Sequence, residues 1–222
     1  MTVVFDFDRS LLHENDVDSQ FIDAFVPVAE RQRLREEHAG WNTFVDACFA
    51  FAHDHGVTRD QIIAQLLSSC RIDARFVDAI RVLRQRGVRV LILSDGNELM
   101  IRALLTAAEL QVDDVLTNPS FFDDAGRLHL RPFHEHQCLT CPPNLCKTKA
   151  LLAACPQARI AYVGDGRGDA CPIRCVLRQG DLALVRADHP LDRLLEDVGL
   201  TATKQRWADP TDVCEALLAM FA

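Results

Sequence analysis

No stretch of this sequence approaches the ~20 consecutive apolar residues that a membrane-spanning helix needs. The first residues, Met-Thr-Val-Val-Phe-Asp-Phe-Asp, lack the basic n-region and the apolar h-region of a secretory signal. A cytoplasmic location and the absence of a membrane partner are therefore expected. There is no internal repeat and no low-complexity tract. Positive charge is in short supply: 24 Lys and Arg stand against 32 Asp and Glu, a formal net charge of -8. That balance disfavours a general binder of nucleic acid or anionic lipid, while leaving room for a local basic site that meets phosphate. Cysteine is plentiful but odd in number, at nine. In a reducing compartment, free thiols or metal ligands are expected rather than a disulfide framework.

What is present is a chain of 222 residues, 49% of them apolar, enough to bury the core of one α/β domain with a modest insertion. Val3-Val4-Phe5 is a continuous apolar run ending in Asp6, the pattern of a buried parallel strand that delivers side chains at its carboxyl end. Residues 88–93, ending in Ser94-Asp95, and residues 159–163, ending in Gly164-Asp165-Gly166, repeat it. Residues 115–116 and 181–185 read as further strands. Residues 16–84 read as mostly helical: Phe21, Ile22, Phe25 and Val26 recur at helical spacing, and Thr58 is placed to cap a helix from Arg59. Residues 76–86 form an amphipathic stretch ended by Gly87. Further helices are expected over 98–110, 147–154 and 210–221, and Asp123-Asp124-Ala125-Gly126 reads as a hairpin turn. Strands alternating with helices predict an α/β fold with a parallel sheet covered on both faces. The expected division is a catalytic core of residues 1–15 and 85–222 and a helical cap of residues 16–84.

In such sheets, sites form at the carboxyl ends of the strands. Three strand ends here carry Asp6 and Asp8, Ser94 and Asp95, and Asp165 and Asp169. Two neighbouring carboxylates repel, so one can ionise while the other keeps a proton, which is the division that a nucleophile and a general acid/base require. Carboxylates together also make a hard-oxygen site for magnesium, with Asp165 the natural second ligand. Asp169 would complete that shell or orient Lys147, and the flanking glycines admit close approach of a backbone to an ion or phosphate. Ser94 is placed to donate to a phosphoryl oxygen and Lys147 to neutralise its charge. Each of these alone could be a solvated turn or a surface lysine; their convergence at three strand ends points to phosphoryl chemistry.

Asp6-Phe7-Asp8-Arg9-Ser10 resembles the first motif of the haloacid-dehalogenase-like superfamily, with Ser10 where threonine is usual. Ser94 resembles its second motif, Lys147 its third, and Gly164-Asp165-Gly166 with Asp169 its fourth. The resemblance implies a Rossmann-like core with a small helical cap inserted after the first strand. It further implies an aspartyl phosphate formed on Asp6, with Asp8 as acid and then base. Magnesium would be held by Asp6, the backbone carbonyl of Asp8, and Asp165. Lys149 is the runner-up for Lys147. Residues 131–138 and 141–147, with Ser94-Asp95-Gly96-Asn97 and Cys171-Pro172, are similar to the phosphoethanolamine/phosphocholine phosphatase family, which is related to pyridoxal-phosphate phosphatases.

The substrate expected from that resemblance is a small phosphomonoester, with pyridoxal phosphate, thiamine monophosphate or pyrophosphate as alternatives. Glu14, Asn15, Asp16 and Asp18, with Asp95, are candidates to recognise an amine on it. Trp41, Phe44, Phe49 and Phe51 could line the pocket or serve as ordinary core. His134, His136, Cys138, Cys141 and Cys146 lie close enough in sequence to hold structural zinc. Two rival readings are a non-catalytic protein using that segment as a zinc-dependent interaction surface, and a phosphotransferase.

Overall fold

Strand β1 (Thr2–Phe5) is buried at every position in the computed structural model, which describes residues 1–222. Five helices follow before the chain returns to the sheet: α1 (Val17–Phe25), α2 (Val28–Glu37), α3 (Trp41–Asp54), α4 (Arg59–Ser69) and α5 (Ala74–Gln85). Next come β2 (Arg89–Asn97), α6 (Glu98–Ala107), β3 (Asp114–Asn118), the short hairpin strands β4 (Ser120–Phe122) and β5 (Leu128–Leu130), and α7 (Lys147–Ala154). The chain closes with β6 (Ile160–Gly164), α8 (Arg167–Cys175), β7 (Leu182–Arg186), α9 (Pro190–Leu194), β8 (Thr203–Trp207) and α10 (Pro210–Met220).

The sheet runs β3-β2-β1-β6-β7-β8, and all of its pairings are parallel. Side chains alternate across it. Val3 and Phe5 join a core with Ile80, Leu104 and Leu217, whereas Val4 joins a second one with Leu151, Ile173 and Leu191. Covered on both faces, β1 and β6 take uninterrupted apolar sequences, and burying each large side chain is worth about 1.5–3 kcal/mol.

Local chemistry sets the helix ends. Thr58 and Gln61 form a reciprocal capping box at the start of α4, and Asp16 caps α1 by accepting from Ser19 N–H at 2.9 Å. Gly87 sits at φ 75, where its N–H donates to the Arg84 carbonyl and Val88 N–H to that of Leu83. That Schellman turn ends α5 and feeds the chain into β2. Helix α5 lies on the sheet, with Phe76 edge-on to Phe5 at 5.7 Å. The β4–β5 hairpin reaches α3, where Asp46 accepts from Leu130 N–H and pairs with Arg127, each at 2.9 Å.

One strand departs from the sequence reading. Edge strand β8, Thr-Lys-Gln-Arg-Trp, buries only Trp207 and so carries no apolar run. Its pairing with β7 creates it. No helix is long and apolar enough to cross a membrane.

Candidate active site

Asp6 continues β1 by one residue, its N–H donating to the Val163 carbonyl of β6 at 2.8 Å. The chain then turns sharply through Arg9, which adopts a left-handed conformation at φ 55, and Asp6 and Asp8 are left at the carboxyl edge of the sheet. Ser94 and Asp95, toward the end of β2, and Asp165, just past β6, complete that edge. These side chains share one cavity of ≈ 220 Å³ with Lys147 and Asp169.

Lys147 is the first residue of α7, which Cys146 caps by accepting from Lys149 N–H at 3.4 Å. Its buried ammonium lies 2.8 Å from Asp6 Oδ1 and 2.7 Å from Asp169 Oδ1. Asp169 is fixed by further partners: Tyr162 Oη donates to Oδ1 at 2.7 Å, and Gly166 N–H to Oδ2 at 3.0 Å. A side chain at Gly164 would place its Cβ 2.7 Å from the Asp169 carboxyl carbon, so glycine is required there. Burial works against the charge on Lys147, but Asp169 and Asp6 outweigh it and hold its pKa up. Lys149 turns away, donating to the Glu135 carbonyl.

Carboxylate oxygens of Asp6, Asp165 and Asp169 lie within 4.8 Å of one another. Both oxygens of Asp169 are already committed, which leaves Asp6 and Asp165 to face a cation. Ser10 Oγ donates to Asp165 Oδ1 at 3.4 Å and His189 Nδ1 contacts its Oδ2 at 3.0 Å. Burial and the Asp169 charge raise the pKa values of Asp6 and Asp165. Crowded, desolvated carboxylates with only oxygen donors suit a hard divalent cation such as Mg2+, which would relieve their repulsion. The Asp8 carboxylate stands apart from that group: its Oδ1 accepts from Val17 N–H at 2.8 Å, and burial, then Asp16 and Asp18, push its pKa up. A protonated acid at this position suits general acid work. Ser94 Oγ accepts from Gly96 N–H at 3.0 Å, which leaves its own proton to donate.

Seven aspartates line the cavity, namely Asp6, Asp8, Asp16, Asp18, Asp95, Asp165 and Asp169, against two cations, Arg9 and Lys147. Asp18 accepts from Asn97 Nδ2 at 2.9 Å and from Trp41 Nε1 at 3.3 Å; burial, then Asp16, push its pKa to about 7. Asp95 is held by Asn118 and Asn144.

Two of the residues considered for substrate are not in the cavity. Glu14 points to solvent beside His13, and Asn15 donates to the Ser69 carbonyl at 3.0 Å, tying the start of α1 to α4. Asp16, acidic neighbour of both and the cap of α1, lines the cavity instead, as does Trp41. Phe44 and Phe49 are core, and Phe51 stacks on His55.

The zinc set from the sequence is also rearranged. His136 spends both ring nitrogens on its own loop, bonding the Pro142 carbonyl at 2.8 Å and accepting from Cys138 N–H at 3.1 Å. His134 accepts from Cys146 N–H at 3.3 Å, and Cys146 caps α7. The thiols that meet are those of Cys138, Cys141 and Cys171.

Residues 1–221 match a family model described as "Putative Phosphatase". The chain is 31% identical to the phosphoethanolamine/phosphocholine phosphatase of Homo sapiens over 213 residues, covering 88% of this chain and 77% of that protein. It is 31% identical to the pyridoxal phosphate phosphatase PHOSPHO2 of Mus musculus over 209 residues, covering 87% and 85%. In fold it is similar to a substrate-bound phosphoserine phosphatase, with a TM-score of 0.62 at 13% identity and 97% of each chain covered.

Proposed function

Starting from the chain's membership in the Putative Phosphatase family, which makes it a phosphatase of the haloacid-dehalogenase type, we propose that it hydrolyses a small amine-bearing phosphomonoester through a phosphorylated Asp6. The observation that carries this is the buried Asp6–Lys147–Asp169 arrangement at the mouth of β1, with Asp165 beside it.

In this reading Asp6 attacks phosphorus while Asp8 gives its proton to the departing alcohol oxygen. Asp8 then takes a proton from the water that attacks the aspartyl phosphate, releasing inorganic phosphate and regenerating Asp6. Lys147 neutralises charge on the transferring group and acts to lower the Asp6 pKa against the burial and the Asp169 charge that raise it. The Ser94 hydroxyl donates to a phosphoryl oxygen. Mg2+, held by Asp6, the Asp8 backbone carbonyl and Asp165, would supply further charge neutralisation. Asp169 positions Lys147, and Ser10 and His189 orient Asp165.

Residues 16–84 act as a helical cap on a core of residues 1–15 and 85–222, with α5 anchoring the insertion to the sheet. The cap brings Asp16, Asp18 and Trp41 to the cavity. The surplus of carboxylates there supports a substrate that carries positive charge as well as phosphate, such as phosphoethanolamine or phosphocholine. Phosphate release with Mg2+ from these two, pyridoxal phosphate, thiamine monophosphate and pyrophosphate tests the reading, with Asp6→Asn as the control. Preference for the two amine esters, lost in the variant, supports it; equal rates on pyrophosphate would overturn the amine specificity.

A further inference from the structure

Cys138, Cys141 and Cys171 bring their sulfurs within 4.8 Å of one another, and Cys138 Sγ lies 3.9 Å from Cys171 Sγ. The first two form a Cys-x-x-Cys turn in the loop before α7. The third lies on α8, and Cys175, one helical turn beyond it at i+4, follows on the same helix face. The phosphatase chemistry uses none of them. The spacing is thus one Cys-x2-Cys pair followed by a Cys-x3-Cys pair, and the fold brings Cys171 of the second to the first.

The distances favour an ion over a bond. A disulfide needs its sulfurs at about 2.05 Å. Thiolates sharing a tetrahedral ion, with bonds of about 2.3 Å, stand roughly 3.8 Å apart. The loop is also shaped for it. His136 braces the turn from inside, as described above, and the Thr148 hydroxyl donates to Cys171 Sγ at 3.0 Å. The Thr140 hydroxyl lies 3.2 Å from Cys138 Sγ and donates to Cys171 Sγ at 3.5 Å. A set made only of sulfur selects a soft ion and discriminates against Mg2+.

We propose that Cys138, Cys141 and Cys171, completed by Cys175, bind a thiophilic divalent ion of the zinc class, separate from the oxygen site at Asp6. The ion staples the loop entering α7 to α8. Since Lys147 opens α7 and Asp169 lies in the first turn of α8, it holds together the two segments that carry that ion pair. This goes beyond the phosphatase reading and does not depend on it.

The test uses the full-length protein, reduced, stripped with chelator and titrated with Co2+ in the presence of excess Mg2+. One equivalent should give a thiolate-to-cobalt charge-transfer band in the near ultraviolet with tetrahedral d–d bands, both removed by one equivalent of Zn2+. Cys138→Ser with Cys171→Ser should abolish the bands, and Cys175→Ser, at an exposed position, should weaken cobalt binding at least tenfold. His134→Ala and Cys214→Ser should leave them unchanged. Zn2+ at a hundredfold excess over its Kd should raise the unfolding midpoint of the native protein by roughly 5–10 °C and not that of the double variant. No charge-transfer band in folded, fully reduced protein, or a band that survives the double substitution, would overturn the proposal. Asp6→Asn should leave the cobalt spectrum intact, so this reading and the phosphatase mechanism fail separately.

Discussion

Lys147 and Asp169 form a buried ion pair, Nζ to Oδ1 at 2.7 Å, in which the carboxylate is the fixed member and the ammonium reaches on to Asp6. Asp169→Asn should therefore do two things. It leaves a buried lysine with one counter-charge in place of two, at a cost in stability of about 3–5 kcal/mol. It also frees Lys147 to swing, lowering kcat on the order of a hundredfold with a smaller change in KM. Tyr162→Phe removes only one donor and should cost about 1–3 kcal/mol while keeping activity within tenfold. Denaturant melts beside steady-state kinetics separate the two; equal kinetic effects would argue against a positioning role for Asp169.

Asp6→Asn should reduce phosphate release on the order of ten-thousandfold or more. A variant that loses activity together with its cooperative unfolding transition would point to a structural role instead.

Asp18 predicts a pH effect. Its folded pKa, about 7, lies above the ordinary 3.8, so between these values the folded protein holds a proton that the unfolded chain has released. Stability from this group is present at low pH and is lost as pH rises through the window, by a few kcal/mol as an order of magnitude. Asp18→Asn should consequently raise stability more at pH 8 than at pH 5. The same substitution should raise KM for phosphoethanolamine several-fold more than for p-nitrophenyl phosphate. Identical stability changes at the two pH values, measured in chelator, would count against the shifted group.

Gly164→Ala puts a methyl group into the Asp169 carboxylate, 2.7 Å away. The expected loss is about 1–3 kcal/mol, together with a fall in kcat that resembles Asp169→Asn. Full activity in this variant would show that Asp169 has room to move without consequence.

The strand ends were readable because central parallel strands are apolar throughout and stop where polar chemistry begins. Asp6, Asp8, Ser94, Asp165 and Asp169 followed from that single pattern, and Thr58 announced α4 by its cap. Other features depend on tertiary contacts that leave no local mark. Tyr162 reads as one more strand residue, yet its hydroxyl anchors Asp169. His189 lies far along the chain from the Asp165 it contacts. Glu14 and Asn15 are close to Asp6 in sequence, but Glu14 pairs with His13 toward solvent and Asn15 bonds the Ser69 carbonyl. Edge strand β8 has too little buried area to show a hydrophobic pattern. The thiol group spans two segments some thirty residues apart, so only the fold could replace the histidines by Cys171.

If the protein hydrolyses a phosphomonoester as proposed, the cavity with seven aspartates and two cations favours one order of events. Its surplus of carboxylates draws cations, and the phosphate end of an ester would meet a repulsive potential there. A divalent ion seated at Asp6 and Asp165 would remove much of that barrier, so metal would be expected to add before ester. Product phosphate would be held by the same logic, its retention falling when the metal leaves. On the proposed reading, removing divalent metal should weaken substrate binding as well as slow turnover.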